Sequence, residues 1–578
     1  MILADCTREE IASVWAGHWT VICNGKFAVN YRARKSFSVR RAHGSYENVG
    51  GRLVRKKELA SFVLWDVFGF FQSTFVTACE KYLGKDYPQL DFVREQKTKR
   101  QTFQLKQLGE IERYCLVECR MLEALMLKLR EYLEQAELPI RRWDGAGACA
   151  AALLMREKVL DHKRECLAAV NEAAQYAYAG GRMELCRYGH APETPIYHYD
   201  INSAYPTAMQ TLPSLRSGEF VKGQASYRPN LPFSIYRVEY EFGDCAMYPF
   251  FWRSHNCSIY YPQRGHGWYW QPELEAAYAA LESGTLTGKI KIRESYHFVP
   301  RYIANPFEFI PRLYEQRKQW KAQGIGAEKV LKLAINSLYG KTAQQMGGSD
   351  LKPPRYHCLE WAGYITSYTR AMLYRAMLPA LATRSIIMCA TDGIYSLVPL
   401  DVPCGDKLGQ WEYTLHKGIT VVQSGVYWTH ELDDTAPKSF CRGFDKGSLH
   451  IDKIVSSWQR KRTSYDASLT RFVTMGSALA GDESFKHWRE WRTMPRVLSL
   501  TTHHTKRFDE TDPEEWTKKY GPHNALVHTH AAVPAAQIVG QDLSAKYPLL
   551  WEDDNDRDAE LDGAPASIVE AEAYDTLV

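Results

Sequence analysis

The sequence predicts an α/β protein built from several subdomains, an α+β assembly, and three observations predict it. The chain has 578 residues, far more than one compact core holds, so three or more subdomains are expected. Its 45% hydrophobic and 24% charged residues describe an ordinary globular chain. Apolar β-prone runs that end in turns, at 196–201 and 386–396, alternate with helix-patterned segments at 111–133 and 305–340.

Taken in order, residues 1–150 read as mixed structure. Phe62, Val63, Leu64 and Trp65 predict a short buried strand, and 111–133 predicts a long amphipathic helix. Residues 151–430 carry every motif with chemical content, 431–520 are basic and aromatic, and 521–578 form a C-terminal region with an acidic tail. No internal repeat occurs, and no apolar run approaches the roughly 18 residues that span a bilayer, so no membrane partner is expected. The opening MILADCTREE lacks a basic segment followed by an apolar one, and the 14 cysteines form no C-x-x-C pair. No secretory leader and a reducing, cytoplasmic setting are therefore expected.

Charge is unevenly spread. The net charge is +5, yet 551–578 holds ten acidic residues and one arginine, so that stretch carries −9 and the rest +14. Basic clusters at Arg52, Arg55, Lys56 and Lys57, and at Arg460, Lys461 and Arg462, suit a phosphate-bearing partner or a solvated face.

Two aspartates stand at turns. Ile196, Tyr197, His198, Tyr199, Asp200 and Ile201 form a β-prone run, followed by a turn and a helix expected from Thr207. Ala390, Thr391, Asp392 and Gly393 lie between two apolar runs, which predicts a hairpin with Asp392 at its tip. A lone turn aspartate is more often structural than chemical. Between the two, a helix opened by Asn305 and Pro306 carries Arg317 and Lys321 on one face and stops at Gly324, Ile325 and Gly326. A second helix from about Ala327 is expected to set Lys332, Asn336 and Tyr339 on one face. A cationic helical hairpin between two turn carboxylates is what nucleotidyl transfer requires. Cations neutralise a triphosphate, and carboxylates hold two divalent ions roughly 3.5–4 Å apart.

These residues carry a family resemblance. DINSAYP at 200–206 resembles motif A of family B DNA polymerases, KLAINSLYG at 332–340 resembles motif B, and ATDG at 390–393 resembles motif C. Tyr178, Ala179, Gly180 and Gly181 resemble the YxGG element of the protein-primed branch, which serves phages, linear plasmids and organellar and viral genomes. The resemblance implies a right-hand polymerase with palm, thumb and fingers (about 305–345), preceded by an RNase H-like exonuclease-type domain. It implies Asp200, Asp392 and the Ile201 carbonyl as ligands of two Mg²⁺ ions, which Mn²⁺ can replace. Tyr205 would lie under the incoming sugar; Arg317, Lys321 and Lys332 would hold the dNTP triphosphate; Asn336 and Tyr339 would pack on the nascent base pair. Tyr178, Gly180 and Gly181 would contact template, and Tyr427, Arg442 and Gly443 would grip primer and template. A terminal priming protein is a further implied partner, docked by an insertion between motifs A and B. The implied setting is a bacterial cytoplasm.

The sequence departs from the family in motif C, in the N-terminal region and in the interval after motif B. Ala390 stands where motif C usually has its first Asp, and Gly393 where it has Ser. The N-terminal region has no D-x-E pair in its first sixty residues, Gln72 where a second exonuclease motif ends in Asp, and Glu118 closing Tyr114-Cys115-Leu116-Val117-Glu118 where the third ends in Asp. A degenerate exonuclease domain is the expectation, with a truncated gene start as the alternative for the missing first motif. Only 22 residues separate Gly340 from Gly363, where the protein-primed branch inserts a template-encircling segment, so limited strand displacement is expected. His503, His504, His528 and His530 have no ligand partners at useful spacing and read as surface histidines. The segment 458–471 suits either nucleic-acid contacts or a helix with an aromatic core face.

Overall fold

The computed structural model describes residues 3–500 apart from short gaps, the longest at 100–106 and 345–352, and beyond 500 only the strand Ala536–Gln537. Lys56, Lys57, His503, His504, His528, His530 and the acidic tail fall outside the described residues. The chain forms two compact units, each assembled from three stretches.

The first unit comprises residues 1–157, 312–338 and 471–492. Its sheet runs Thr20–Ile22, Phe27–Arg32, Ser36–Arg41 and Ser61–Trp65 in spatial order, with every pairing antiparallel. The last strand forms where the apolar run predicts it. It lies at the sheet edge, however, and Phe62, Val63 and Leu64 are exposed, which corrects the expectation of a buried strand. The expected long helix spans Leu108–Gln135 and buries Tyr114, Val117, Met121, Leu125, Leu129, Tyr132 and Leu133, a stripe at three- and four-residue spacing.

Two helices, Ile310–Ala322 and Glu328–Asn336, are joined through Gly324, whose φ of +70° stops the first. The first begins later than Asn305, whose side chain instead accepts the Phe307 amide at 2.7 Å. Gly326 is needed for a close approach: a Cβ there would lie 2.1 Å from the Tyr132 ring. The second helix ends at Asn336, and Ser337 separates it from a short helix, Leu338–Thr342. Lys332 and Asn336 therefore share a helix, but Tyr339 belongs to the next one and to the other unit, which corrects the single-face expectation.

The second unit comprises 158–311, 339–470 and 493–578. Its central sheet is antiparallel throughout, in the order Trp411–His416, Ile196–Ile201, Gly393–Ser396, Ile386–Thr391 and Arg182–Leu185. Helices Gln271–Glu282 and Leu359–Leu381 pack together beside it, and their apolar residues join Tyr199, Ile201, Cys389 and Ile394 in one core of the unit. A second antiparallel sheet is built from Gly218–Lys222, Gly288–Pro300, Ser234–Phe242 and Arg264–Trp270. Helix Ile451–Gln459 places Trp458 against a core with Val422, Val426 and Leu498, and its indole donates to the Leu500 carbonyl at 3.0 Å. The helix reading of 458–471 holds only at Trp458 and Gln459, since Ser464–Phe472 forms a strand. Among the described residues, no helix is long and apolar enough to cross a membrane.

Candidate active site

The central sheet brings the two aspartates together. Asp200 pairs across the ladder with Gly393, and the Ile201 amide donates to the Asp392 carbonyl at 3.0 Å, so the two carboxylates stand on neighbouring strand ends. Both ends carry a backbone kink. Thr391 has φ +57° and Ser203 has φ +53°, left-handed conformations that a β-branched threonine rarely adopts. The helix after motif A spans Ala204–Met209, beginning before the expected Thr207. A Cβ at Gly393 would sit 3.4 Å from Asp200 Oδ1, ordinary contact, so the glycine in place of the family's serine is not forced by space.

On the far side, Glu412 stands opposite Asp200. Burial first, and then the Glu412 charge, push the Asp200 carboxyl up to about 6. Because its folded-state value is raised, the folded chain holds a proton more tightly than the unfolded chain between about pH 4 and 6. Stability from this group is greatest below pH 4 and falls as pH rises through 6. We expect Asp200→Asn, without metal, to be more stable than the parent at pH 8 by at most roughly 3 kcal/mol and equal to it below pH 4. Urea unfolding in chelator across that range checks this; a variant less stable at pH 8 would refute it.

Among the described residues, no group of three or more His, Cys, Asp or Glu is arranged as a metal centre. The donors that the two aspartates offer are carboxylate oxygens. That set fits a hard divalent cation that keeps water and phosphate ligands, and a cation there would relieve the repulsion between Asp200 and Glu412.

The same unit holds an aromatic group that follows motif A in the chain. The Tyr205 ring packs on Tyr339 with centroids 4.4 Å apart, and the Tyr339 and Tyr178 hydroxyls are 2.8 Å apart. Gly180 and Gly181 follow Tyr178 outside helix and strand, and a Cβ at Gly181 would lie 2.9 Å from Thr391 Cγ2. Tyr427 stacks on Phe440 at 4.3 Å and meets Tyr395 edge-on, while Arg442 and Gly443 are exposed at the end of the neighbouring strand. The Arg442 amide donates to Gly425 at 2.8 Å.

In the first unit, Arg317 contacts Glu328 at 3.5 Å. The Lys332 ammonium is held below the usual lysine range, first by the protein packed around it and then by Arg317, Lys321 and Lys81. The Lys332 side chain still reaches solvent, so cation repulsion is the firmer of these causes. Arg317, Lys321 and Lys81 thus act on Lys332 as a group of cations with one anion, Glu328, among them, and neither Glu328 nor Lys81 was expected there.

Sequence reasoning also missed residues of the sheet. Glu412 has no motif spacing to Asp200; only strand register reveals it. His198, two residues before Asp200, stacks on Tyr395 at 4.1 Å, and its imidazole is lowered to about 4, by burial first and then by His416. It is therefore neutral at physiological pH.

The exonuclease-type positions are otherwise engaged. Gln72 adopts φ +47°, Tyr114 is buried, and Glu118 pairs with Lys97 at 2.7 Å. Asp66 accepts the Phe68 amide at 3.0 Å.

Comparisons with known proteins follow the same lines. A family described as DNA polymerase type B, organellar and viral, matches residues 77–350, which include Asp200 and Lys332 but not Asp392. The primer-independent DNA polymerase PolB of Escherichia coli is 25% identical over 241 residues, 39% of this chain and 28% of that protein. A DNA polymerase of Acidianus bottle-shaped virus (isolate Italy/Pozzuoli) is 26% identical over 295 residues, 48% of this chain and 41% of that protein. The chain therefore spans less than half the length of these two relatives. Phi29 DNA polymerase complexed with primer-template DNA and incoming nucleotides superimposes with a TM-score of 0.53 at 16% identity, over 80% of this chain and 83% of that one. Its orthorhombic crystal form gives 0.53 at 17% identity, over 76% and 80%. At such identity the likeness is one of fold. Over residues 77–350 the sequence is thus similar to the type B DNA polymerases of the organellar and viral kind, and over 76% of the chain the fold is similar to that of Phi29 DNA polymerase.

Proposed function

We propose that this protein is a template-directed DNA polymerase that adds dNTPs to a 3′ end by two-metal nucleotidyl transfer. The observation that carries the reading is the pairing of Asp200 with the Asp392 turn on adjacent strands; the mutual packing of Tyr205, Tyr339 and Tyr178 supports it. Asp200, Asp392 and the Ile201 carbonyl would hold Mg²⁺ or Mn²⁺, which when bound neutralise charge on the reacting phosphates. The cluster of Arg317, Lys321 and Lys332 would receive the triphosphate, and its crowded positive charge is relieved by that anion. Asn336 and Tyr339 would pack on the nascent base pair. Tyr178, Gly180 and Gly181 would meet template, and Tyr427, Arg442 and Gly443 the primer-template stem. In this reading the central sheet is palm, the 310–336 hairpin is fingers, the 431–520 region is thumb, and 1–150 is a degenerate exonuclease-type domain.

The test is metal-dependent dNTP incorporation on a primed template, run beside a primer-omission reaction. One relative is named as primer-independent, and a terminal protein is the other candidate source of a starting hydroxyl. DNA binding without incorporation under either condition would overturn the reading in favour of a non-catalytic replication factor.

The same reading predicts little 3′→5′ exonuclease activity on single-stranded DNA with either metal, because Gln72 offers no carboxylate and Glu118 is tied to Lys97. Mismatched primer ends should persist. Mononucleotide release that survives Glu118→Ala yet vanishes on changing another N-terminal carboxylate would show that the domain is aligned wrongly.

A further inference from the structure

The turn at 178–181 is held from behind by a charge in the core. Arg370, on helix Leu359–Leu381, and Glu273, on helix Gln271–Glu282, are each 1% exposed, and Arg370 Nε donates to Glu273 Oε1 at 2.9 Å. One nitrogen of the guanidinium, Nη1, donates to two consecutive carbonyls, Ala179 at 2.6 Å and Gly180 at 2.7 Å. The Phe251 ring covers the guanidinium at 4.8 Å. Arg370 Nη2 and Glu273 Oε2 are buried without a hydrogen-bond partner.

As a stabilising device this pair is poor. Desolvation of two buried charges offsets most of their attraction, and apolar residues of equal volume commonly do as well or better. Two orphaned polar atoms add to the cost. What apolar residues cannot do is satisfy two successive carbonyls of an irregular segment, which otherwise face the core unpaired. The segment so held has contacts on both sides. Gly181 lies against Thr391, the residue before Asp392, and the Tyr178 hydroxyl meets Tyr339, whose ring packs on Tyr205.

We propose that Arg370, oriented by Glu273, is a positioning residue that fixes the 178–181 turn, and through it the register of the template strand against the incoming nucleotide. The inference rests on the polymerase reading for its function, but not for its structural measurement. Arg370 touches neither substrate; it acts through the Ala179 and Gly180 carbonyls.

The test uses the full chain and a primer-template with 2-aminopurine at the templating position. Its fluorescence reports base stacking at equilibrium, without chemistry. Three variants are compared: Arg370→Met combined with Glu273→Leu, Arg370→Lys, and Glu273→Gln. The double variant removes both buried charges at similar volume. It is expected to melt near the parent temperature and to bind primer-template comparably, yet to show altered 2-aminopurine fluorescence and kcat/KM for the correct dNTP lower by about a hundredfold, as for a displaced reacting group. Arg370→Lys, which keeps a donor for the carbonyls, should recover part of both signals. A folded double variant with parental fluorescence and kcat/KM overturns the proposal, as does activity that falls only in step with melting temperature. If the double variant does not fold, Glu273→Gln decides: a raised dNTP KM with altered fluorescence supports positioning, and parental values overturn it. If the parent itself extends no primer, the polymerase reading fails, while a fluorescence change that depends on Arg370 still supports its hold on the template.

Discussion

Asp200→Ala and Asp392→Ala are each expected to lower dNTP incorporation by about a thousandfold or more, roughly 4 kcal/mol or beyond on the barrier, while primer-template affinity changes little. The two carboxylates are the hard anionic donors of the proposed site, and they stand on neighbouring strand ends. DNA affinity comes mainly from phosphate contacts, which these variants leave in place. Asp200→Ala also removes a buried group raised to about 6, so the variant should fold at least as well as the parent at neutral pH. Lost activity would then not reflect lost structure. Single-turnover incorporation with Mg²⁺ and Mn²⁺, beside a binding titration, checks the prediction. Near-parental incorporation by either variant would remove that residue from the metal site. Ala390→Asp, which restores the family's usual first motif C carboxylate, should change the rate less than either loss.

Tyr205→Val is expected to raise ribonucleotide incorporation strongly while dNTP incorporation stays within about tenfold, roughly 1.4 kcal/mol. Tyr205 follows Asp200 across the Ser203 kink, and its ring lies 4.4 Å from Tyr339. A ring where a 2′-hydroxyl would project rejects ribonucleotides by exclusion, and valine opens that space. The alternative is an anchor: the ring only braces Tyr339 and the turn before Pro206. An anchor lost lowers both activities together and leaves their ratio unchanged. Comparing kcat/KM for dNTP and rNTP in the two proteins separates these outcomes, because discrimination is that ratio.

What was legible in the sequence was whatever lay within one short segment. The strand before Asp200, the hairpin around Asp392, the glycine stop at Gly324 and the long helix all follow from local pattern, and all are observed. What failed depended on the third dimension. An apolar run such as Phe62 to Trp65 announces a strand, but not whether the sheet continues past it. Helical spacing linked Tyr339 to Lys332 because the period carries across Ser337, where the helix itself ends. Glu412 meets Asp200 only through strand register, and Arg370 meets Ala179 only through the packing of a distant helix.

The division of the chain into interleaved stretches has a consequence for its synthesis. Helix Ala146–Arg156 buries Cys149, Ala150, Leu153 and Leu154, and it packs against helix Glu328–Asn336, which buries Val330, Leu331, Ala334 and Ile335. The ribosome delivers the second helix only after all of 158–311 has emerged, a wait of roughly ten to thirty seconds at about 5–20 residues per second. During that interval the first helix carries an uncovered apolar face, and nascent chains stalled before residue 328 are exposed to chaperone capture or premature association. A fragment cut at residue 157 inherits the same open face permanently, so neither unit is obtainable by simple truncation.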